Sequence, residues 1–169
     1  QAHSAVLLCA GAINSPQLLQ LSGIGAPSLL GSNNIPVIHP LEGVGERLQD
    51  HYVARVSRRV IHTKSLNHRS RGPRMVLETL NWLFRGRGLL SFSPAHVGVF
   101  LRSHNDLETP DLQFVFTPAS YRAGIVGGLH SFAGMTCGVC QMRPESRGFV
   151  RINSPNPSQA PVIQPNYLQ

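Results

Sequence analysis

Negative charge is scarce in this sequence. Eight Asp and Glu face 15 Lys and Arg, for a formal net charge of +7. The scarcity is greatest between residues 55 and 87. There Arg55, Arg58, Arg59, Lys64, Arg69, Arg71, Arg74, Arg85 and Arg87 meet Glu78 alone. Such a block suits nucleic acid or an anionic membrane surface. Aromatic residues are also few, at 7%, and none alternates with these arginines to stack on bases. That weighs against nucleic acid as a partner. A solvated basic surface, paired with acidic surface elsewhere in the protein, is the expectation, and peripheral contact with a membrane stays open.

Three cysteines make no disulfide framework. Cys137 and Cys140 form the one C-x-x-C, in a stretch that reads as a strand. Residues three apart on a strand point to opposite faces, which argues against a shared metal or a disulfide. Cys9 sits in an apolar run and is expected to be a small core residue. Reduced thiols fit a cytoplasmic setting. Long apolar runs are missing as well: none approaches the roughly 18 residues that span a bilayer. The first residues lack the basic lead and cleavage site of a signal peptide. No internal repeat is found, and none of the sixteen glycines stands in G-x-G-x-x-G. The usual backbone grip on a dinucleotide pyrophosphate is therefore missing.

What the sequence does have begins at its start. "SAVLLCA", residues 4 to 10, is apolar without alternation, as in a strand covered on both faces of a parallel sheet. "GAINSPQLLQLSGIG", residues 11 to 25, follows. Gly11 frees the backbone for a tight turn. Ser15 suits an N-cap and Pro16 a first helical position. Leu18, Leu19 and Leu21 give the helix an apolar side, and Gly23 and Gly25 stop it. A strand end, a turn of small residues and a helix start are where open α/β sheets bind ligands. They are also an ordinary crossover.

A second short helix is expected near Pro27 to Leu30, then a strand at "IPVIH", residues 35 to 39. "MVLETLNWLF", residues 75 to 84, puts Val76, Leu77, Leu80, Leu83 and Phe84 on one helical face, expected to join a core. That helix ends at Gly86 or Gly88. Strands follow in "HVGVFLRS", "DLQFVFTPAS" and "GMTCGVCQM", with a long, flexible loop from Ser120 to Phe132 carrying Gly124, Gly127 and Gly128. Two further strands flank "NSPNPSQAP".

The fixed spacing from Gly11 to Gly25 resembles the second signature of the glucose-methanol-choline (GMC) oxidoreductases, flavoenzymes that oxidise alcohols. "IPVIHPLEGVGERLQDH" and "RPESRGFVRINSPNPSQAPVIQPNYL" are similar to further stretches of that family. The likeness runs through nearly the whole chain and points to the choline dehydrogenase and aliphatic alcohol dehydrogenase branch. It implies an internal fragment of a two-domain α/β (α+β) enzyme with FAD as cofactor. Residues 1–40 would be the last strand-helix unit of a Rossmann-like FAD-binding domain and 41–54 a connecting loop. Residues 55–142 would form most of a mixed or antiparallel-sheet substrate domain, and 143–169 the start of the C-terminal region.

By the same resemblance Ala10, Gly11 and Ala12 pass close to the flavin nucleotide, where a larger side chain would collide with it. Tight helix packing explains the small residues equally well. His96, Gln141 and Arg143 would border the substrate, a small alcohol. The catalytic base is a histidine in the family's C-terminal region, beyond Gln169, so no histidine here is assigned as catalytic. His51 follows Asp50, but neighbours on an extended chain face apart, and a structural loop role is expected. Arg147 is read as structural. A free-standing basic module for nucleic acid or membrane, or an inactive remnant, are the competing functions.

Overall fold

A computed structural model describes residues 2–91, 93, 95–122 and 128–169. In chain order the first half holds α1 (Gly11–Leu21), β1 (Ile24–Gly25), α2 (Pro27–Ser32), β2 (His39–Pro40), β3 (Glu46–Leu48) and β4 (Val53–Arg59). Then come α3 (Leu66–Arg69), α4 (Gly72–Arg85), a 3₁₀ turn at Leu89–Ser91 and β5 (Val97–Leu101). The last strands are β6 (Leu112–Thr117), β7 (Gly134–Gln141), β8 (Gly148–Arg151) and β9 (Val162–Gln164). The chain divides into two compact units, residues 1–50 with 144–169, and residues 51–143.

In the first unit the apolar run at residues 4–10 is not a strand. Val6 and Leu7 are 81% and 88% exposed, and Cys9 is exposed rather than in a core. A strand needs a ladder partner, and none of the described residues pairs with this run. The helix after it starts at Gly11 rather than at Pro16. Gly11 turns the chain at φ +81°, and Ser15 Oγ reaches back to accept the Ala10 N–H at 3.2 Å. Ser15 thus caps from inside the helix, and Pro16 lies within it. The buried side of α1 is also not the leucine side: Gln17 and Gln20 are buried while Leu18 is exposed. The helix stops as its glycine predicts, with Gly23 at φ +81°.

Helix α2 buries Leu30 completely. The strand expected over residues 35–39 shrinks to β2, which pairs in parallel with β1. β3 lies within the expected connecting loop and joins β8 and β9 in an antiparallel sheet. Val150 and Ile152, 1% and 4% exposed, carry that sheet's core with Val44.

The second unit is an antiparallel sheet in the order β4-β7-β6-β5. On β7 burial alternates from Gly134 to Gln141, as for a strand with one covered face. Cys140 lies on the buried side and Cys137 on the other. A polar knot lies beyond the ends of the central strands β6 and β7: Asn67, 1% exposed, donates to the Ser120 and His130 carbonyls and accepts the Ser120 N–H. Helix α4 ends at Gly86 in the left-handed conformation, φ +62°. Its apolar face does not enter a core, since no residue of α4 is buried. The inward side is taken instead by Glu78, bonded to Leu89 N–H and Arg69. Of the expected loop from Ser120 to Phe132, Tyr121 bridges to Leu129; Gly124 and Gly127 lie outside the described residues.

Candidate functional site

The N-terminus of α1 collects the first candidate residues. Ala10 is half-buried, and Gly11 and Ala12 are exposed. The first N–H groups of a helix have no intrahelical acceptor, and the helix dipole favours an anion there. Among the described residues, no heavy atom beyond its chain neighbours and its own helix turn lies within 4 Å of the position a Cβ on Gly11 would take. Packing against this chain's own atoms therefore does not explain the glycine. Its φ of +81° does, since an L side chain is strained there. The result is an open helix start, edged by small residues, onto which a large polar group could be laid close to the backbone.

The opposite end of α1 holds a residue that sequence reasoning missed. Gln20 is fully buried and donates through Nε2 to the carbonyls of Val44 and Val150, both at 3.0 Å. Its Oε1 accepts the Ile152 N–H at 2.9 Å. Gln17 adds a bond to the Gln159 carbonyl at 2.9 Å. These amides fix α1 against residues 144–169. In sequence they look like the polar side of an amphipathic helix, and only their burial in the structure reverses that reading.

In the second unit Gln141 and Arg143 lie at one end of the sheet. Gln141 is level with Leu112, and Leu112 with Leu101. Beyond Gln141 the chain is tied down: Met142 N–H donates to the Asp111 carbonyl at 2.8 Å, and Arg143 Nη1 to Thr109 Oγ1 at 2.9 Å. His51 Nε2–H donates to the Met142 carbonyl at 2.9 Å, so the structure brings His51 to this same corner. Asp111 accepts the Ser103 hydroxyl at 2.6 Å and the Ser103 N–H at 2.7 Å. Those two bonds, the hydroxyl's first, hold its carboxyl below the ordinary value.

His96 stands elsewhere. It precedes Val97, which is level with Phe116 and Cys137, and its N–H donates to the Phe116 carbonyl. The end of the sheet bearing Gln141 is five residues along the strand from it, roughly 16 Å at strand rise.

Asp50, in the first unit, accepts a hydrogen bond from the Tyr167 hydroxyl, and this raises the tyrosine's pKa. Asp50 and His51 thus each serve a different partner. Arg147 donates through Nη1 to the carbonyls of Pro144, Glu145 and Ser146, closing the turn before β8. Among the described residues no three His, Cys, Asp or Glu side chains gather as a metal set. Nor is any described helix long and apolar enough to cross a membrane.

Comparison with known proteins fits these features. Residues 1–53 match the family model described as GMC oxidoreductase. The chain is 39% identical over 170 residues to an oxygen-dependent choline dehydrogenase of Escherichia coli O127:H6, covering 99% of the chain and 30% of that protein. The Cronobacter sakazakii protein of the same name is also 39% identical, with the same coverage. The chain therefore spans about 30% of the length of these relatives. Among solved structures, formate oxidase superposes with a TM-score of 0.81 at 22% identity, over 93% of this chain and 32% of its own. Pyridoxine 4-oxidase gives 0.70 at 22% identity, over 95% and 28%. The two share the fold of this chain. With the signature spacing from Gly11 to Gly25 lying inside the matched stretch, the chain belongs to the GMC oxidoreductase family.

Proposed function

We propose that the protein bearing this chain is an FAD-dependent oxidoreductase acting on the CH–OH group of a small alcohol, choline-like or aliphatic. The observation that carries this reading is the open start of α1. Gly11 sits at φ +81° with nothing within 4 Å of its Cβ position. The N–H groups of a helix start and a backbone bearing no side chain larger than a methyl suit the phosphates and ribose of a flavin nucleotide. Ala10, Gly11 and Ala12 would hold it by close backbone approach. The chemistry FAD supplies when bound is acceptance of a hydride at N5.

Residues 1–40 belong, on this reading, to the FAD-binding domain, 41–54 to a connection, 55–142 to the substrate domain and 143–169 to the C-terminal region. The exposed run at residues 5–9 would add a strand to the flavin domain's sheet. Gln20 and Gln17 act as positioning residues, because they fix the helix whose start faces the cofactor. Gln141 and Arg143 border the alcohol from the tied corner of the sheet, with Arg143 steadied by Thr109. His96 contributes to a different part of the cavity wall. The base that takes the hydroxyl proton is the family's C-terminal histidine, not one of the eight here.

The test is to purify the intact protein, record its visible spectrum, and measure dye reduction with choline and with short alkanols. Bound flavin and alcohol-dependent reduction are expected. Protein without flavin absorbance, or with flavin but no turnover on any alcohol, overturns the proposal.

A further inference from the structure

The carbonyl of Met142 is held by a side chain at a place where a strand would use its backbone. β7 ends at Gln141, and its ladders end where Val53 of β4 faces Cys140 and Leu112 of β6 faces Gln141. Carried on in the same registers, Met142 is level with His51 on one side and Asp111 on the other. A hydrogen-bonded antiparallel pair exchanges two bonds. Met142 and Asp111 make one of them, from Met142 N–H to the Asp111 carbonyl at 2.8 Å. The return bond is lost, because Asp111 N–H donates to the Leu101 carbonyl at 3.1 Å. The Met142 carbonyl accepts from His51 Nε2–H instead, at 2.9 Å. A carbonyl only accepts, so this ring nitrogen carries a proton.

That carbonyl belongs to the peptide joining Met142 to Arg143, one residue beyond Gln141. Turning the peptide would swing Arg143 one way and Gln141 the other. Arg143 has a second tie at its far end, from Nη1 to Thr109 Oγ1 at 2.9 Å. His51 thus fixes the backbone of the segment and Thr109 the guanidinium. His51, Gln141 and Arg143 are all exposed in this chain. A bond between exposed groups competes with water and adds little to global stability. Its effect is local, on the direction of two side chains, and direction counts where a substrate must be held in one geometry.

We propose that His51 is a positioning residue for the alcohol side of the site. Through the Met142 carbonyl it sets the angle at which Gln141 and Arg143 meet the substrate. This rests on the reading of the protein as an alcohol oxidoreductase with those two residues at its substrate border. The ring acts here as a hydrogen-bond donor, and another side chain that places an N–H at the same carbonyl can replace it.

The test compares His51→Gln with His51→Phe in the intact protein. Glutamine keeps an N–H on a side chain of similar reach, and phenylalanine keeps a ring without one. In His51→Phe, KM for choline, or for the short alkanol that the parent turns over, should rise roughly tenfold, as for one lost hydrogen bond, with kcat nearly unchanged. Hydrogen exchange over residues 141–143 should speed up, while flavin content and thermal midpoint stay as in the parent. His51→Gln should restore both KM and exchange. A His51→Phe protein with the parent's KM overturns the proposal. So does a His51→Gln protein as impaired as His51→Phe. A His51→Phe protein that unfolds or loses flavin overturns it too, because the residue is then structural. Parent protein that turns over no alcohol overturns the functional reading, and the substrate role with it. The exchange comparison needs no substrate, and decides by itself whether His51 holds the segment.

Discussion

Gln20 donates to the carbonyl of Val150 at 3.0 Å across 130 residues of chain, in a site with no solvent access. The same side chain also serves the Val44 carbonyl and the Ile152 N–H. Replacing it by leucine would keep the volume and strand three backbone groups. An unsatisfied buried group costs about 1–3 kcal/mol, partly offset by added apolar burial. Gln20→Leu should therefore destabilise by about 2–5 kcal/mol and lower the thermal midpoint by several degrees. Gln17→Leu loses one partly buried bond to Gln159 and should cost clearly less. Equal midpoints for the two variants would show that Gln20 is no hub.

Gly45 lies against the same hub. Its φ is +82°, and a Cβ there would run into the Val150 carbonyl and Gln20 Nε2. Both the backbone strain and the collision with backbone atoms act against a side chain. Gly45→Ala should cost about 3 kcal/mol or more. Gly31→Ala, in α2 with open space around it and no positive φ, should be neutral or slightly stabilising by the gain in helix propensity. The comparison needs only thermal midpoints of the two variants. A Gly45→Ala protein as stable as Gly31→Ala would contradict the close approach.

What the sequence made legible, and what it hid, follows from the range of the interactions. The stop of α1 at Gly23, the end of α4 at Gly86 and the strands β6 and β7 depend on neighbouring residues, and all are readable. The start of α1 was misplaced at Ser15-Pro16 because the decisive feature is the positive φ of Gly11, which spacing does not reveal. Gln20 and Asn67 escaped notice because a polar residue on a helix reads as solvent-facing unless its partner is known. Their partners lie between 24 and 132 residues away for Gln20 and 53 or more for its counterpart's main contacts. Residues 4–10 and the apolar face of α4 read as core because they are apolar. Among the described residues nothing covers them. At the candidate site, Ala10, Gly11 and Ala12 follow from the family resemblance and not from any local pattern. The separation of His96 from Gln141 needed the strand register.

Glu78 gives a prediction in pH. The Leu89 N–H bond first, then the Arg69 bond, depress its pKa below the ordinary glutamate value. A depressed folded-state pKa means that the folded chain binds this proton less readily than the unfolded one. The contribution is thus fully present above the ordinary value and is lost as pH falls through the depressed one. Carboxyl NMR should show Glu78 titrating below the ordinary glutamate value. The Arg69→Gln variant should move it part of the way back, leaving the larger Leu89 share. A Glu78 that titrates at the ordinary glutamate value in the parent would show that neither bond is held in solution.

The start of α1 allows the cofactor reading to be separated from a purely conformational one. Gly11→Ala adds a Cβ at φ +81°, where a left-handed backbone costs about 1–2 kcal/mol for an L residue. It meets no atom of this chain within 4 Å, so no steric cost is expected on top of that strain. If only the conformation requires glycine, stability falls modestly and flavin content follows it no further than stability dictates. If a flavin nucleotide lies against this backbone, the added methyl group occupies its space. Flavin retention then drops well beyond the loss of stability, and the branched side chain of Gly11→Val drops it further. The measurement is the flavin-to-protein absorbance ratio of each purified variant beside its apoprotein midpoint. Glycine at position 31 gives the control, because Gly31→Ala should leave both quantities unchanged or slightly raised. Full flavin occupancy in Gly11→Val, at unaltered affinity, would remove Ala10, Gly11 and Ala12 from the cofactor site.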